Sequence, residues 1–538
     1  MRVISCSPAT GPKGGNSMAK DKASRFTLKE KSWILYDWAN SVYATNIMAA
    51  IFPTIFVSMA GSSGDYWWSI GTSVTTLLVA LLSPFLGALA DFKGMKKKLF
   101  TGFMLLGVVT TASLAFMSDW RMMLVGYVIS HIGFSGANLF YDSFLTDVTT
   151  NERMDKVSSW GFAMGYIGGS TIPFVMSIGM LLWLGYGSPI AQKFAILITS
   201  LWWLGFSIPF LKNVDQVHYI ERGQGTAARQ TFSNVWRTAK EITRNKGLLM
   251  FVIAYFFYID GVGTVISIST AYGTALGLGA VGMILALLVT QIVAMPSSIL
   301  FGRLAQRFTT RRMLLAAIAV YMVICGVGFY MGFSLEPSQD AFDKAYTAMT
   351  AQAGQAAQAD GIPDAGKAID GYLSDARALM LEGKAEELTA LELKLPDADP
   401  ALKAPLQEKL TGTALAFAQQ NAPLIDDYRA SISRSTLMFW AMAILVGTVQ
   451  GGIQAVSRSY FGKLVPKKRS NEYFGFFDIF GKFATFVGPL LYALIGSLRG
   501  RSSFGTLALL TLFLAGFITL ILARKPLEQL EKSKEAEA

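Results

Sequence analysis

"GALADFKGMKKK", residues 87–98, and "GRLAQRFTTRRM", residues 302–313, decide how this chain folds. Each follows a long apolar run and ends in a basic cluster. Gly87 aligns with Gly302 and Lys97 with Arg312 at an offset of 215, while Asp91 falls on Gln306. A second pair repeats the relation: "SFLTDVTTNERMDKVSSWGF" (143–162) and "SYFGKLVPKKRSNEYFGF" (459–476) align Gly161 with Gly475 at an offset of 314. The offsets differ by 99, close to the length of an acidic segment at 334–434. Without that segment, the chain is two halves in the same order.

The apolar runs set the class. Of 538 residues, 52% are hydrophobic and 15% charged, against about 25% charged in a soluble domain. Many runs reach the roughly 20 residues a membrane-spanning helix needs, and none alternates as a barrel strand does. Twelve spans are expected, near 33–57, 67–90, 99–118, 121–147, 158–184, 190–211, 247–270, 277–300, 312–333, 435–459, 473–497 and 503–523. The fold class is therefore all-α, with six helices in each half and a parallel repeat about an axis along the membrane normal. Within this frame the domains read as a leader at 1–32, a first half at 33–211, a linker at 212–246, a second half at 247–333 and 435–523 interrupted by the insert, and a tail at 524–538.

Every second loop is basic. Lys and Arg crowd the leader, the loops after spans two, four, six, eight and ten, and the tail, while 58–66, 185–189 and 271–276 hold none. The positive-inside rule then puts both termini in the cytoplasm; Arg499 and Arg501 are the misfits. The insert has nine basic and sixteen acidic residues, so the net +11 divides into −7 there and +18 elsewhere. The high pI thus reports topology, and nucleic-acid binding is not expected. The insert lies on the outer side, with two to four amphipathic helices expected from spacings such as Ile369, Tyr372, Leu373, Ala376 and Met380. Residues 1–17 lack the apolar core of a secretory signal, and Met18 opens a basic leader. Cys6 and Cys325 build no disulfide framework.

The loop at 87–98 resembles the signature of the major facilitator superfamily: Gly87, Asp91, Gly94, and the basic pair Lys97 and Lys98. Gly87 permits close helix approach, and Asp91 suits the amides and dipole at a neighbouring helix N-terminus. In that family the loop is a latch between the halves, so Gly87, Asp91, Gly94, Lys97, Lys98, Gly302 and Arg312 are expected to gate. Gln306 leaves the second copy without its acid. "YDWANSVYATNI" (36–47), "YFFYIDGVGTV" (255–265), "IQAVSRSYFGKLVP" (453–466) and "EYFGFFDIFGKFATFVGP" (472–489) resemble the vacuole-effluxer-like branch, whose eukaryotic members are autophagy-related amino-acid effluxers. The resemblance covers all twelve spans but neither the leader nor the insert. It implies a bacterial inner membrane or its eukaryotic equivalent, and a monomer.

Polar residues inside the spans carry the chemistry. Asp260 is the only charge between Gly247 and Gly302, and a charge at membrane depth costs at least about 2.5 kcal/mol. It is expected to bind a proton or a substrate ammonium, unless it pairs a cation; Lys482 is the nearest in kind but has Asp478 four residues before it. Asp37 either stabilises the first turn of span one or joins Asn40, Tyr43 and Asn46 in a stripe facing a cavity. On span four, His131, Asn138, Tyr141 and Asp142 recur at helical spacing, with His131 more readily a buried hydrogen-bonded histidine than a titrating one. On span ten, Gln450, Gln454 and Arg458 share a face. Arg458 either snorkels or grips a carboxylate. Spans one, four, seven and ten line the cavity in the superfamily, which implies acids on one side and Arg458 on the other, a match for an amino acid or similar zwitterion.

No catalytic constellation exists. Two histidines and two distant cysteines make no metal cluster, and the phosphate-loop pattern is absent; no cofactor is expected, and the chain is not expected to be an enzyme. Two functions follow: a secondary transporter of a small polar solute by alternating access, and a transporter-shaped receptor working through the outer insert.

Overall fold

The computed structural model describes residues 25–185, 187–221, 227–359, 365–395 and 400–537. Most of the leader, with Cys6 and Met18, and two pieces of the insert lie outside the described residues. Among the described residues every element is helical except one isolated bridge, Phe92 to Ile220. In chain order the helices are α1 (Leu28–Ala60), α2 (Gly64–Ala90), α3 (Met95–Leu114), α4 (Trp120–Val148), α5 (Asn151–Leu184), α6 (Pro189–Asn213), α7 (Ala227–Arg244), α8 (Lys246–Ala275), α9 (Ala280–Phe308), α10 (Thr310–Ala359), α11 (Ala365–Glu382), α12 (Pro400–Gln420), α13 (Ala422–Leu464), α14 (Ser470–Arg499), α15 (Ser502–Leu522) and α16 (Arg524–Glu537). Eleven of the described helices are long and apolar enough to cross a membrane. The remaining expected span is α3, whose first turn carries three lysines.

The chain forms two compact units. The first contains α1–α6 and the start of α7, together with Arg458–Gly475 from the end of α13 and the start of α14; the second contains Arg237–Ser457 and Phe476–Ala538. In the first unit, Thr27 and Glu30 close a reciprocal capping box at the start of α1. Glu30 is buried and holds Arg153 at 2.7 Å, which ties the first turn of α1 to α5. α1 loosens into a π-helical turn over Ala44–Ala50, and α5 does the same over Gly165–Thr171. The two helices meet closely. A Cβ on Gly168 would lie 1.8 Å from the Trp38 ring, so that crossing requires glycine.

In the second unit, the expected edges of the insert are not helix breaks. α10 has 50 residues and α13 has 43, about 75 and 65 Å long at 1.5 Å per residue. The hydrocarbon core is about 30 Å thick, so each helix runs uninterrupted from membrane into insert. Between them α11, a 3₁₀ turn at Ala385–Ala390 and α12 complete the insert. Phe342, Tyr346, Phe417 and Tyr428 form its aromatic core, and Arg377 pairs with Asp343 at 2.6 Å. Glu336, at the base of the insert, accepts from the backbone N–H and hydroxyl of Ser503 at the start of α15.

Candidate functional site

The first unit gathers its buried charge at the end where the basic loops lie. Arg458, on the last turns of α13, is buried, and its guanidinium is fully engaged. Nη1 donates to Asp142 Oδ1 at 2.9 Å and Nη2 to Asp37 Oδ2 at 3.2 Å. Nε donates to the Ser158 hydroxyl and Nη2 to the Ser158 carbonyl. The guanidinium centre lies 4.6 Å from the Trp33 ring and 4.4 Å from that of Phe162. Planar, weakly hydrated guanidinium suits such a stacked, forked site where an ammonium does not. A Cβ on Gly161 would lie 2.3 Å from Asp37 Oδ2, so glycine makes the room. One helical turn on, Asp155 accepts from Ser459 and from Lys463, both at 2.5 Å.

Asp37, Asp142 and Arg458 therefore form one cluster of two carboxylates and one cation, not opposite ends of a site. Snorkelling of Arg458 is corrected as well: its head group is buried among aromatic rings, because two acids and a serine satisfy it there. Tyr141 packs against this cluster, its ring stacked on Trp33 at 4.5 Å. The stripe on α1 does not stay together. Asn40 donates to Asn138 at 2.7 Å. Tyr43 is wholly buried and accepts from Ser130, and the buried Asn46 donates to Ser177 and Thr199. Tyr43 and Asn46 thus serve helix packing inside the unit; Asn46 lies within the π-helical turn, where regular spacing is lost, and Tyr43 is the last residue before it. His131 is buried among Tyr43, Tyr127 and Phe134.

The loop at 87–98 docks on the first turn of α14. Asp91 Oδ1 accepts from the backbone N–H of Asn471 at 3.0 Å and its side-chain amide at 2.7 Å; Oδ2 accepts from the Glu472 N–H at 3.0 Å. A carboxylate is thereby seated on a helix N-terminus, where its charge meets the dipole. Gly87 and Gly475 provide the approach: Cβ atoms there would lie 2.3 Å from the Asn471 carbonyl and 2.6 Å from that of Ser83. Gly94 turns the chain at φ +72°.

Lys96 is the cation that the sequence reading missed. Its side chain and that of Asp147 are fully buried, and they pair at 2.6 Å. Lys96 also donates to the Ser143 carbonyl and the Ser470 hydroxyl. The other oxygen of Asp147 accepts from the backbone N–H groups of Val217 and His218 and faces His218 Nδ1. Lys97 pairs with Asp215 near the surface, and Lys98 is exposed. In the second copy of the loop Gly302 is buried and Arg312 exposed, while Arg311, at the position of Lys96, lies 3.9 Å from Glu528.

Asp260 lies in the second unit on α8, fully buried. Oδ1 accepts from the Gly488 N–H of α14 at 3.0 Å. Oδ2 has no protein partner, nor does the Thr264 hydroxyl one turn further on. A Cβ on Gly488 would lie 2.0 Å from that hydroxyl, and Pro489 follows at once. Lys482 pairs with Asp478 on its own helix, as the i,i+4 spacing requires. Gln454 donates to the Gln450 carbonyl at 3.3 Å. Gln450 lines a mainly apolar cavity with Val265, Tyr272, Gln291, Cys325 and Met442. Among the described residues no group of three metal-ligating side chains comes together.

Long apolar helices repeated in two halves, glycine-mediated crossings and a carboxylate-capped helix at the repeated loop define a multi-pass membrane transporter of the major facilitator type, not an enzyme. The chain belongs to the vacuole effluxer Atg22-like family, whose model matches residues 68–341 and 433–532 and leaves out nearly all of the insert. It is 37% identical over 510 residues to YxiO, an MFS-type transporter of Bacillus subtilis, covering 92% of this chain and 95% of that one. Over 56 residues, 10% of this chain and 11% of the other, it is 41% identical to autophagy-related protein 22 of Eremothecium gossypii. Two solved structures share the fold. A bacterial homologue of the iron transporter ferroportin aligns with TM-score 0.56 at 12% identity, covering 93% of this chain and 98% of that one. The proton:xylose symporter XylE aligns with TM-score 0.53 at 9% identity, covering 93% and 94%.

Proposed function

We propose that this transporter moves a small polar solute with both a carboxylate and an ammonium group, an amino acid or similar zwitterion, by alternating access. The observation that carries the reading is the cluster of Arg458 with Asp37 and Asp142. It holds two acids on one cation, a net charge of −1 among buried aromatic rings. A substrate carboxylate that displaces one acid from Arg458 leaves that acid free for the substrate ammonium, so charge is conserved as the contacts exchange. Paired buried charges are well suited to such exchange, because each group needs a partner at every step.

Asp260 is the proposed proton site. Its oxygen without a protein partner can carry a proton while the other keeps the Gly488 N–H, so protonation changes charge without unmaking the helix contact. The loop contacts of Asp91 and the Lys96–Asp147 pair form the proposed latch, with Gly87, Gly94, Lys97 and Lys98 shaping it and Gly302 and Arg312 in its second copy. The alternating basic loops support a bacterial inner-membrane location with both termini in the cytoplasm, and a monomer is the working form.

The test is flux in proteoliposomes. Radiolabelled amino acids should accumulate under an imposed pH gradient, and the uptake should be strongly reduced in Arg458→Lys. If Arg458→Lys transports amino acids like the wild type, the zwitterion reading fails. Transport of an uncharged solute alone sinks it as well.

A further inference from the structure

α7 has a feature that transport of a solute does not use. Its helix wheel divides into three sectors. Thr231, Thr238 and Ile242 are buried against the protein. Phe232 and Trp236, one turn apart on the next sector, are 67% and 74% exposed. Arg237, Lys240 and Arg244 follow on the third sector and are exposed. At 100° per residue these sectors centre near 0°, 120° and 210°.

The aromatic sector continues the lipid-facing surface. The Phe232 ring lies 6.0 Å from that of Phe85, and Phe85 is itself exposed on the outside of α2, a membrane-spanning helix. The C-terminus of α7 is separated only by Asn245 from α8, another spanning helix. Large aromatic side chains exposed to water on so polar a helix are costly, and an apolar face beside a basic one is the pattern of a helix lying in a membrane interface. Tryptophan is favoured at that depth. The basic sector then reaches the lipid phosphates.

We propose that α7 is an interfacial helix that seats Phe232 and Trp236 among acyl chains and uses Lys240 and Arg244 to bind the headgroups of anionic lipids. The occupant is the bilayer leaflet on the side of the basic loops, and the inference does not depend on which solute is carried. Charge complementarity selects the lipid: phosphatidylglycerol, carrying a net negative charge, is held in preference to phosphatidylcholine. Arg237 contributes less, because Glu241 lies 3.7 Å from it on the same helix.

Two measurements on the full-length protein test this. Trp236→Cys, made with Cys6→Ser and Cys325→Ser and labelled with bimane in nanodiscs, should be quenched by brominated lipid and shielded from aqueous iodide. Quenching by iodide but not by brominated lipid overturns the proposal, and leaves a water-facing surface for a protein partner. Native mass spectrometry of phosphatidylglycerol binding supplies the second arm. Lys240→Gln and Arg244→Gln should each weaken binding about fivefold, equivalent to roughly 1 kcal/mol per basic residue at an anionic surface. The exchange Lys240→Arg with Arg244→Lys should leave binding unchanged, and phosphatidylcholine binding should not respond to any of them. Equal phosphatidylglycerol binding by wild type and the glutamine variants overturns the proposal; loss in the charge-retaining exchange as well does so too, since charge is then not what binds.

Discussion

Gly94 and Thr309, 215 residues apart, occupy the same place in the two copies of the repeated loop, and both have positive φ, +72° and +78°. Thr309 is the one described residue other than glycine to do so. The two copies share the sign of φ but not the turn itself, since ψ is 1° at Gly94 and 139° at Thr309. With ψ near 139°, Thr309 sits in a region that is essentially glycine's own, at a cost of about 1–3 kcal/mol.

Thr309→Gly should therefore stabilise the protein. Relief of strain exceeds the added flexibility of glycine, about 1 kcal/mol, and a net gain of roughly 1 kcal/mol is expected. Gly94→Ala should do the opposite. Thermal melting in detergent measures both, and an unchanged or lower midpoint for Thr309→Gly contradicts the assignment of strain.

The buried Lys96–Asp147 pair should respond asymmetrically. Lys96→Met leaves a buried carboxylate and should cost about 3–5 kcal/mol. Adding Asp147→Asn removes that stranded charge, so the double variant should melt above the single. A lower midpoint in the double variant means that Asp147 matters mainly through Val217 and His218.

Asp260→Asn separates coupling from packing. Asparagine keeps an oxygen for the Gly488 N–H and removes a charge that costs at least about 2.5 kcal/mol at membrane depth. Melting should be unchanged or higher. Uptake driven by a pH gradient should be lost, while exchange of labelled for unlabelled substrate persists. Gradient-driven uptake at the wild-type level shows that Asp260 carries no proton in the cycle.

Gly488→Ala should destabilise the protein by contact with the Thr264 hydroxyl, at 2.0 Å from the added carbon. The cost belongs to overpacking, typically 1–3 kcal/mol. Combining it with Thr264→Ala removes that oxygen and should restore most of the loss on a melting curve. No recovery places the strain in the α14 backbone instead.

Arg458→Lys should reduce transport about tenfold or more. A charged hydrogen bond contributes roughly 1.5–3 kcal/mol, and lysine can neither span Asp37 and Asp142 as a fork nor stack between Trp33 and Phe162. Initial uptake rates in proteoliposomes measure it, and a rate within twofold of wild type counts against the Arg458 cluster as the substrate site and so against the zwitterion reading.

Much of this molecule was legible before any coordinates. The spans follow from apolar length alone, because a bilayer leaves the backbone no partner but itself. The repeat follows from spaced glycines and basic residues, and the docking of Asp91 on amides follows from the dipole of a helix end. The partner of Lys482 follows from i,i+4 geometry. These are local or compositional facts, and one strand of sequence carries them.

The rest depended on which faces meet. Lys96, Lys97 and Lys98 are equivalent in composition, and only the rotation of α3 buries the first and exposes the last. Arg458 lies 421 residues from Asp37 and 316 from Asp142, so nothing in the spacing could announce that one guanidinium satisfies both. Asn46 left the expected stripe within a π-helical turn, which shifts the phase that a regular helix would keep, and Tyr43, just before that turn, is buried against Ser130. The sequence by itself determined an all-helical, multi-pass membrane protein built from two repeated halves, since solvent and chain length dictate that much. Tertiary structure alone decided which charges are paired, because a buried charge takes the partner that packing brings within about 3 Å, whatever its distance along the chain.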